Sequence, residues 1–356
     1  MPLSRSKDFD TPDPRLIAEL VAMYEASAAR LRAIVIKPPG RTDSAREFNQ
    51  SRAAAGLAQV QGEISRLKKQ AIEWTSTALQ SSMEKGLKVA DSQAIQVSKS
   101  ISDSALATGH SGLKLTATLA PLIDHDALKV LALDTVADLA KAADSMGQYA
   151  GTSLRRMAAT GVSTSQVNQI LAGGIIEGKP QEAIRQLKLA LQKVHGDTVT
   201  IKDKNGDDIT FKAGYYAQMV AQTKTRQAVC QARHNRLAQR GIDLVIVVGR
   251  VSKNFCTAYL GKAFSISGES KKYPPLDRLP SGGPPFHPNC SKSTAPFIDQ
   301  LAGEEELAAA APDAHTDKFL NTTDTTKLQK EFTNSNLSAA VKQREAKVAA
   351  EIKGGA

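Results

Sequence analysis

Through the first half of the chain, apolar residues recur every three or four positions. Leu16, Ile17, Leu20, Val21 and Tyr24 set this spacing after Pro12 and Pro14, which predicts a helix running to about Ile36, where Pro38, Pro39 and Gly40 break it. No proline interrupts the stretch from about Ser44 to Val89. Within it, Leu57, Val60, Ile64, Leu67, Ala71, Trp74 and Ala78 alternate steps of three and four, a heptad seam. Such a seam either joins two chains or packs within its own bundle; several other amphipathic helices favour the second, with Trp74 as a core anchor. A further helix follows Pro121, with Leu128, Leu131, Ala132, Thr135, Val136 and Leu139 on one face. Ser163 and Gln166 have capping-box spacing ahead of Val167, Ile170 and Leu171. Pro180 opens another helix, carrying Ile184, Leu187, Leu191 and Val194.

Near residue 196 the period changes from helical to alternating. Val199, Ile201, Ile209 and Phe211 alternate with polar residues on either side of Lys204-Asn205-Gly206-Asp207, which predicts a hairpin because Asn-Gly accepts positive φ at both turn positions. Residues Tyr215 to Arg240 return to helix, closed by Gly241, and Ile242 to Val248 is a β-branched run typical of a buried strand. The fold class is therefore α+β: a long, mainly helical region over 1–195, a small domain over 196–298 with a hairpin, a basic helix and a short sheet, and a helical or extended tail over 299–356. The tail is rich in Ala, Glu and Lys with little apolar surface, so it is expected to drape over a partner or fray.

Composition agrees with helices. Hydrophobic residues make up 41% but aromatics only 4%, so the core must be built from Ala, Leu, Val and Ile. Three Cys give no disulfide framework and fit a reducing compartment or a metal role. No stretch reaches the roughly 18 to 20 apolar residues that span a bilayer, and the N-terminus lacks a secretory apolar core, so a soluble, unprocessed protein with no membrane partner is expected. The net charge of +10 is uneven: residues 213–297 hold twelve Lys and Arg against three acids, a net of +9. A field of that sign attracts nucleic-acid phosphate or an acidic protein face. Lys224, Arg226, Arg233, Arg236, Arg240, Arg250, Lys271 and Lys272 are the candidate contacts to DNA or such a face. Arg233, Arg236 and Arg240 share one side of the basic helix. The plain alternative is a solvated basic face without a dedicated partner.

Chemistry concentrates in Gly283-Pro-Pro-Phe-His-Pro-Asn-Cys290, whose prolines preset the loop around His287 and Cys290. With Cys256 these residues offer two thiols and an imidazole, donors that zinc favours. They are one short of a closed site, and water, Cys230, His234 or nothing could complete it. Lys253 and Lys292 stand where partners of Cys256 and Cys290 would be expected, and cations repel a metal. No cofactor is expected, zinc being the one metal the donors would suit. The same three residues could serve a nucleic-acid-processing or toxin-like enzyme through a Cys nucleophile and a His base, though no orienting third residue is evident. Cys230, inside the basic helix, reads as a small buried hydrophobe.

Five segments in order, VTIKDKNGDDITF, YYAQMVAQTKTRQAVCQARHNRLAQRGIDLVIV, NFCTAYLGKAFSISG, YPPL and GPPFHPNCSKSTAPF, lie within residues 198–297. Together they resemble the phage minor capsid or head-morphogenesis proteins of the Mu F-like type. In that family a Cys-x-x-Cys commonly precedes the Gly-Lys segment, and a further donor commonly follows the His-Pro-Asn-Cys. Here Lys253 and Lys292 take those places, which implies a degenerate metal site. The resemblance further implies a non-enzymatic structural protein of a tailed-phage head, present in a few copies per virion at the portal vertex and found in the host cytoplasm during assembly. Its implied partners are the portal, other head proteins and packaged DNA, with roles in head assembly, DNA packaging or ejection, and a helical arm that docks. A sequence-independent DNA-binding protein is the remaining alternative, and Gln227, Gln231 and Asn235 on the basic helix keep base reading open.

Overall fold

A computed structural model describes residues 12–36, 45–108, 123–160, 198–202, 206–320 and 322–335. In chain order the elements are α1 (Pro14–Ile36), α2 (Ala45–Thr108), α3 (His125–Thr160), β1 (Thr198–Lys202), β2 (Asp208–Lys212), α4 (Ala213–Gln239), β3 (Leu244–Val248), β4 (Ala263–Ser265), β5 (Ser293–Pro296), α5 (Glu304–Ala310), α6 (Ala314–Leu320) and α7 (Thr325–Thr333). This is the expected α+β architecture, with long helices first and small sheets after them. The capping box at 163–166, the helix expected over 180–194, the Lys204-Asn205 part of the turn and residues 336–356 lie outside the described residues.

By contact the chain groups into two compact units, one of Pro14–Thr77 and Ala132–Ala221, the other of Met1–Asp13, Ala78–Leu131 and Gln222–Ala356. Residues of α2, α3 and α4 are divided between the two units.

In the first unit the heptad seam is covered by the chain's own helices. Val60, Ile64, Leu67, Ala71 and Trp74 are buried, as are Leu20, Tyr24 and Leu31 of α1 and Leu139, Met146 and Leu154 of α3. Small residues let the helices approach: a Cβ on Gly147 would lie 2.7 Å from Ile64, and one on Gly151 3.3 Å from Leu57. Buried polar groups find partners. Trp74 Nε1 donates to the Leu16 carbonyl at 2.9 Å, and the Tyr24 hydroxyl donates to the Leu139 carbonyl at 2.7 Å. The hairpin pairs Val199 with Phe211 and Ile201 with Ile209, as the alternation predicts, and docks on α3 through the Thr200 amide, which donates to Ser145 Oγ at 2.9 Å.

In the second unit β3 is the centre of an antiparallel sheet of order β4-β3-β5. Period-two geometry splits its side chains between the two faces. Val245 and Val247 enter a core with Leu237, Phe255, Tyr259, Phe264, Phe286 and Ala90, Ala94 and Val97 of α2. Leu244 and Ile246 pack on the other side against Tyr273, Phe297 and Ala310. The described part of the tail, 299–320 and 322–335, packs inward rather than draping or fraying. Phe319, Leu320, Leu328 and Phe332 belong to the main core, and the Tyr259 hydroxyl donates to the Phe319 carbonyl at 2.8 Å. Asp324 caps α7 by accepting from the amides of Thr326 and Lys327. Few apolar residues suffice because each is spent inward.

Helix α2 meets α4 in this unit at Gly86, where a Cβ would lie 2.3 Å from the Val229 carbonyl oxygen, whereas Gly62 of the same helix has nothing within 4 Å. Gly62→Ala is therefore expected to raise stability by about 0.5–1 kcal/mol through helix propensity, and Gly86→Ala to lower it by about 1–3 kcal/mol through overpacking. Urea-unfolding midpoints read both signs, and equal shifts would contradict the close helix contact.

Candidate functional site

The residues singled out for chemistry are assembled by loops leaving the central strand. After β3, Gly249 adopts φ +142 and sends the chain into a short 3-10 turn, Phe255–Tyr259, which carries Cys256. From the other direction, the Pro284-Pro285 bond is cis and Phe286 is buried beside Tyr259, with ring centroids 5.1 Å apart. Asn289 then takes the left-handed conformation at φ 58, one that Asn tolerates, and the Cys290 amide donates to the His287 carbonyl at 3.1 Å. This turn puts His287 and Cys290 on the same side of the loop as Cys256. The donor atoms of the three residues all lie within 4.8 Å of one another, and Cys256 Sγ is 3.3 Å from His287 Nε2.

His287 Nδ1 lies 2.8 Å from the Pro288 carbonyl. A carbonyl only accepts, so the proton sits on Nδ1 and Nε2 turns to the sulfurs. Interaction between the two thiols, ahead of burial, pushes the Cys256 thiol up, and the same interaction lowers Cys290. Burial pulls His287 down, but the Cys290 sulfur and the Pro288 carbonyl outweigh it and its pKa is raised. Cys256 and Cys290 are buried, each 1% exposed, while His287 is half-buried.

Lys292 belongs to this cluster as well. It is 0% exposed, and its ammonium donates to the Arg250 carbonyl and to Ser252 Oγ, the latter at 3.3 Å. Ser252 Oγ in turn lies 3.6 Å from Cys256 Sγ.

Helix α4 holds the whole strip from behind. Arg226 donates through Nη1 to the Cys290 carbonyl and through Nη2 to the Lys292 carbonyl at 3.1 Å. Two turns on, Arg233 Nη2 donates to Thr294 Oγ1 at 2.7 Å and Ser293 Oγ at 3.1 Å, and His234 Nε2 is 2.7 Å from the same Thr294 oxygen. Two helical turns rise about 11 Å and four extended residues cover about 13 Å, so the spacing of Arg226 and Arg233 matches the run from Cys290 to Thr294. On its α2 side, Arg236 Nε and Arg240 Nη2 donate to Asp91 Oδ1 at 2.8 and 2.7 Å.

The sequence profile of phage minor capsid protein 2 matches residues 15–346. The chain belongs to that family. No curated protein matches it, and no solved structure does. Membership makes the protein a structural component of a phage head, carried in the virion, and extends the likeness of 198–297 to nearly the whole chain. No described helix is long and apolar enough to cross a membrane.

For this minor capsid protein the eight basic candidates divide sharply. Arg233 and Arg236 are buried, with their guanidiniums bonded to Thr294 and Asp91 inside the fold. Arg226, Arg240 and Lys224 are partly buried, the first two in the bonds just described. Arg250, Lys271 and Lys272 are exposed, with Lys272 Nζ 5.1 Å from the Tyr273 ring centroid. Asp91 and Thr294 were not legible as partners, since both lie far along the chain from α4.

Burial raises the Asp91 pKa, but hydrogen bonds and charge from Arg236 and Arg240 outweigh it and hold the carboxyl below its ordinary value. A depressed folded pKa gives stability that is present above the unfolded value of about 3.9 and is lost as pH falls through the folded one. Asp91→Asn is expected to cost about 2 kcal/mol at pH 7 and to flatten the loss of stability below about pH 4. Urea unfolding at pH 7 and pH 3 checks both, and a variant as acid-sensitive as the native chain contradicts the assignment.

Proposed function

We propose that this minor capsid protein works at the portal vertex of a tailed-phage head, bridging the portal and packaged DNA during head assembly, packaging or ejection. The observation that carries this reading is the partition of charge in the basic segment. Arg226, Arg233, Arg236 and Arg240 are consumed by internal bonds, while Arg250, Lys271 and Lys272 remain outside. Such exposed cations on a rigid core attract a polyanion without reading its sequence. The buried loop supports the unit that displays them and has no part in chemistry.

Neither base reading nor an enzyme gains support from the geometry. Base reading by α4 would need free amides, but Asn235 Nδ2 donates to Asp124 Oδ2 at 2.8 Å and Gln231 Nε2 donates to Asn235 Oδ1 at 3.1 Å. An enzyme built on Cys256, His287 and Cys290 would need a reachable sulfur, and both are covered.

Two measurements test the proposal. Mass spectrometry of purified particles is expected to find the chain in few copies, cross-linked to the portal; its absence from particles would sink the reading. Reversing Arg250, Lys271 and Lys272 to Glu is expected to lower portal or DNA association about tenfold or more at low salt, with the melting temperature unchanged. Undiminished association would move the contact to another surface.

A further inference from the structure

We propose that Lys292 closes the Cys256, His287 and Cys290 cluster in place of a metal ion, and that this single residue keeps a latent zinc centre from binding zinc. The three donors converge within 4.8 Å of one another, but a structural zinc site needs four. The segment that could supply the fourth is already at the cluster, since the Lys292 backbone N–H bonds the Cys290 sulfur. Its side chain, however, offers only N–H donors and no lone pair for a metal while charged.

The path of that side chain is built into the fold. A Cβ on Gly249 would come within 3.1 Å of Lys292 Cδ and 2.9 Å of the Ser291 carbonyl, so only a glycine there leaves room for the stem. At the end of the stem the ammonium is received by the Arg250 carbonyl and by Ser252 Oγ, which passes the contact on to Cys256 Sγ. The positive charge of Lys292 is felt at both Cys256 and His287. The Arg226 guanidinium, on the Cys290 and Lys292 carbonyls, adds a second cation to the same loop. A dication entering here would balance two thiolates and leave the buried ammonium with no counter-charge, which is an expensive state in the protein interior. The ammonium-centred hydrogen bonds do the work that metal ligation does in a closed site: they tie the Phe255–Tyr259 turn, the His287 loop and the end of β3 together.

The test compares full-length native protein with Lys292→Cys and Lys292→Ala. Each is incubated with excess zinc, dialysed and measured for metal per chain, with cobalt titration reporting thiolate ligation by its charge-transfer absorption. The native chain is expected to retain well under one zinc and to show no thiolate-to-cobalt band. Lys292→Cys is expected to retain close to one zinc and to show the band. Lys292→Ala, which removes the charge without adding a ligand, is expected to bind zinc at least about tenfold more tightly than the native chain and to melt at a lower temperature in its absence. Stoichiometric zinc in the native chain overturns the proposal, and so does a folded Lys292→Cys without zinc. Should Lys292→Cys fail to fold, zinc affinity in Lys292→Ala equal to that of the native chain overturns it as well.

Discussion

The C-terminal part of this protein depends on arginines that point inward from α4. A buried guanidinium needs acceptors inside the fold, and its planar fork can serve two at once. Arg226 spans the Cys290 and Lys292 carbonyls, and Arg233 spans the Ser293 and Thr294 hydroxyls. These acceptors follow one another along the signature loop and β5. The loop, already anchored by Phe286 in the core, is thereby fixed to a helix, and the helix is fixed to α2 by Asp91.

The rest of that unit follows from this arrangement. With β5 held, β3 has a neighbour on each side, and its alternating Val and Leu/Ile residues meet two different apolar layers. Tyr259 sits where these parts converge, packed on Phe286, Phe264 and Phe255 and bonded to the Phe319 carbonyl. The tail helices complete the core by covering this ring cluster.

Local pattern was legible and long-range pairing was not. The heptad positions from Val60 to Trp74, the Asn-Gly hairpin with its Val199–Phe211 pair and the helix closed by Gly241 follow from spacing and turn chemistry, which are properties of neighbouring residues. Charge gave the opposite lesson. Arg233 and Arg236 look like a solvent-facing stripe because a sequence shows sign and spacing but not which acceptors the fold brings over them. Thr294 is sixty-one residues from Arg233, and Asp91 is 145 from Arg236. The tail was misjudged for the same reason, since four well-placed apolar side chains count for more than its average composition. Cys256, His287 and Cys290 do meet as a cluster, but the residue that gives it its character, Lys292, reads from the sequence only as a missing ligand.

The guanidiniums of α4 hold the signature loop in place. Hydrogen exchange of the backbone amides over 286–294, compared between the native chain and Arg226→Met, tests it most directly. Exchange across those residues should quicken by at least about tenfold in the variant while amides of α1 and of residues 45–77 keep their native protection. Unchanged exchange over 286–294 in a folded Arg226→Met variant would contradict the account.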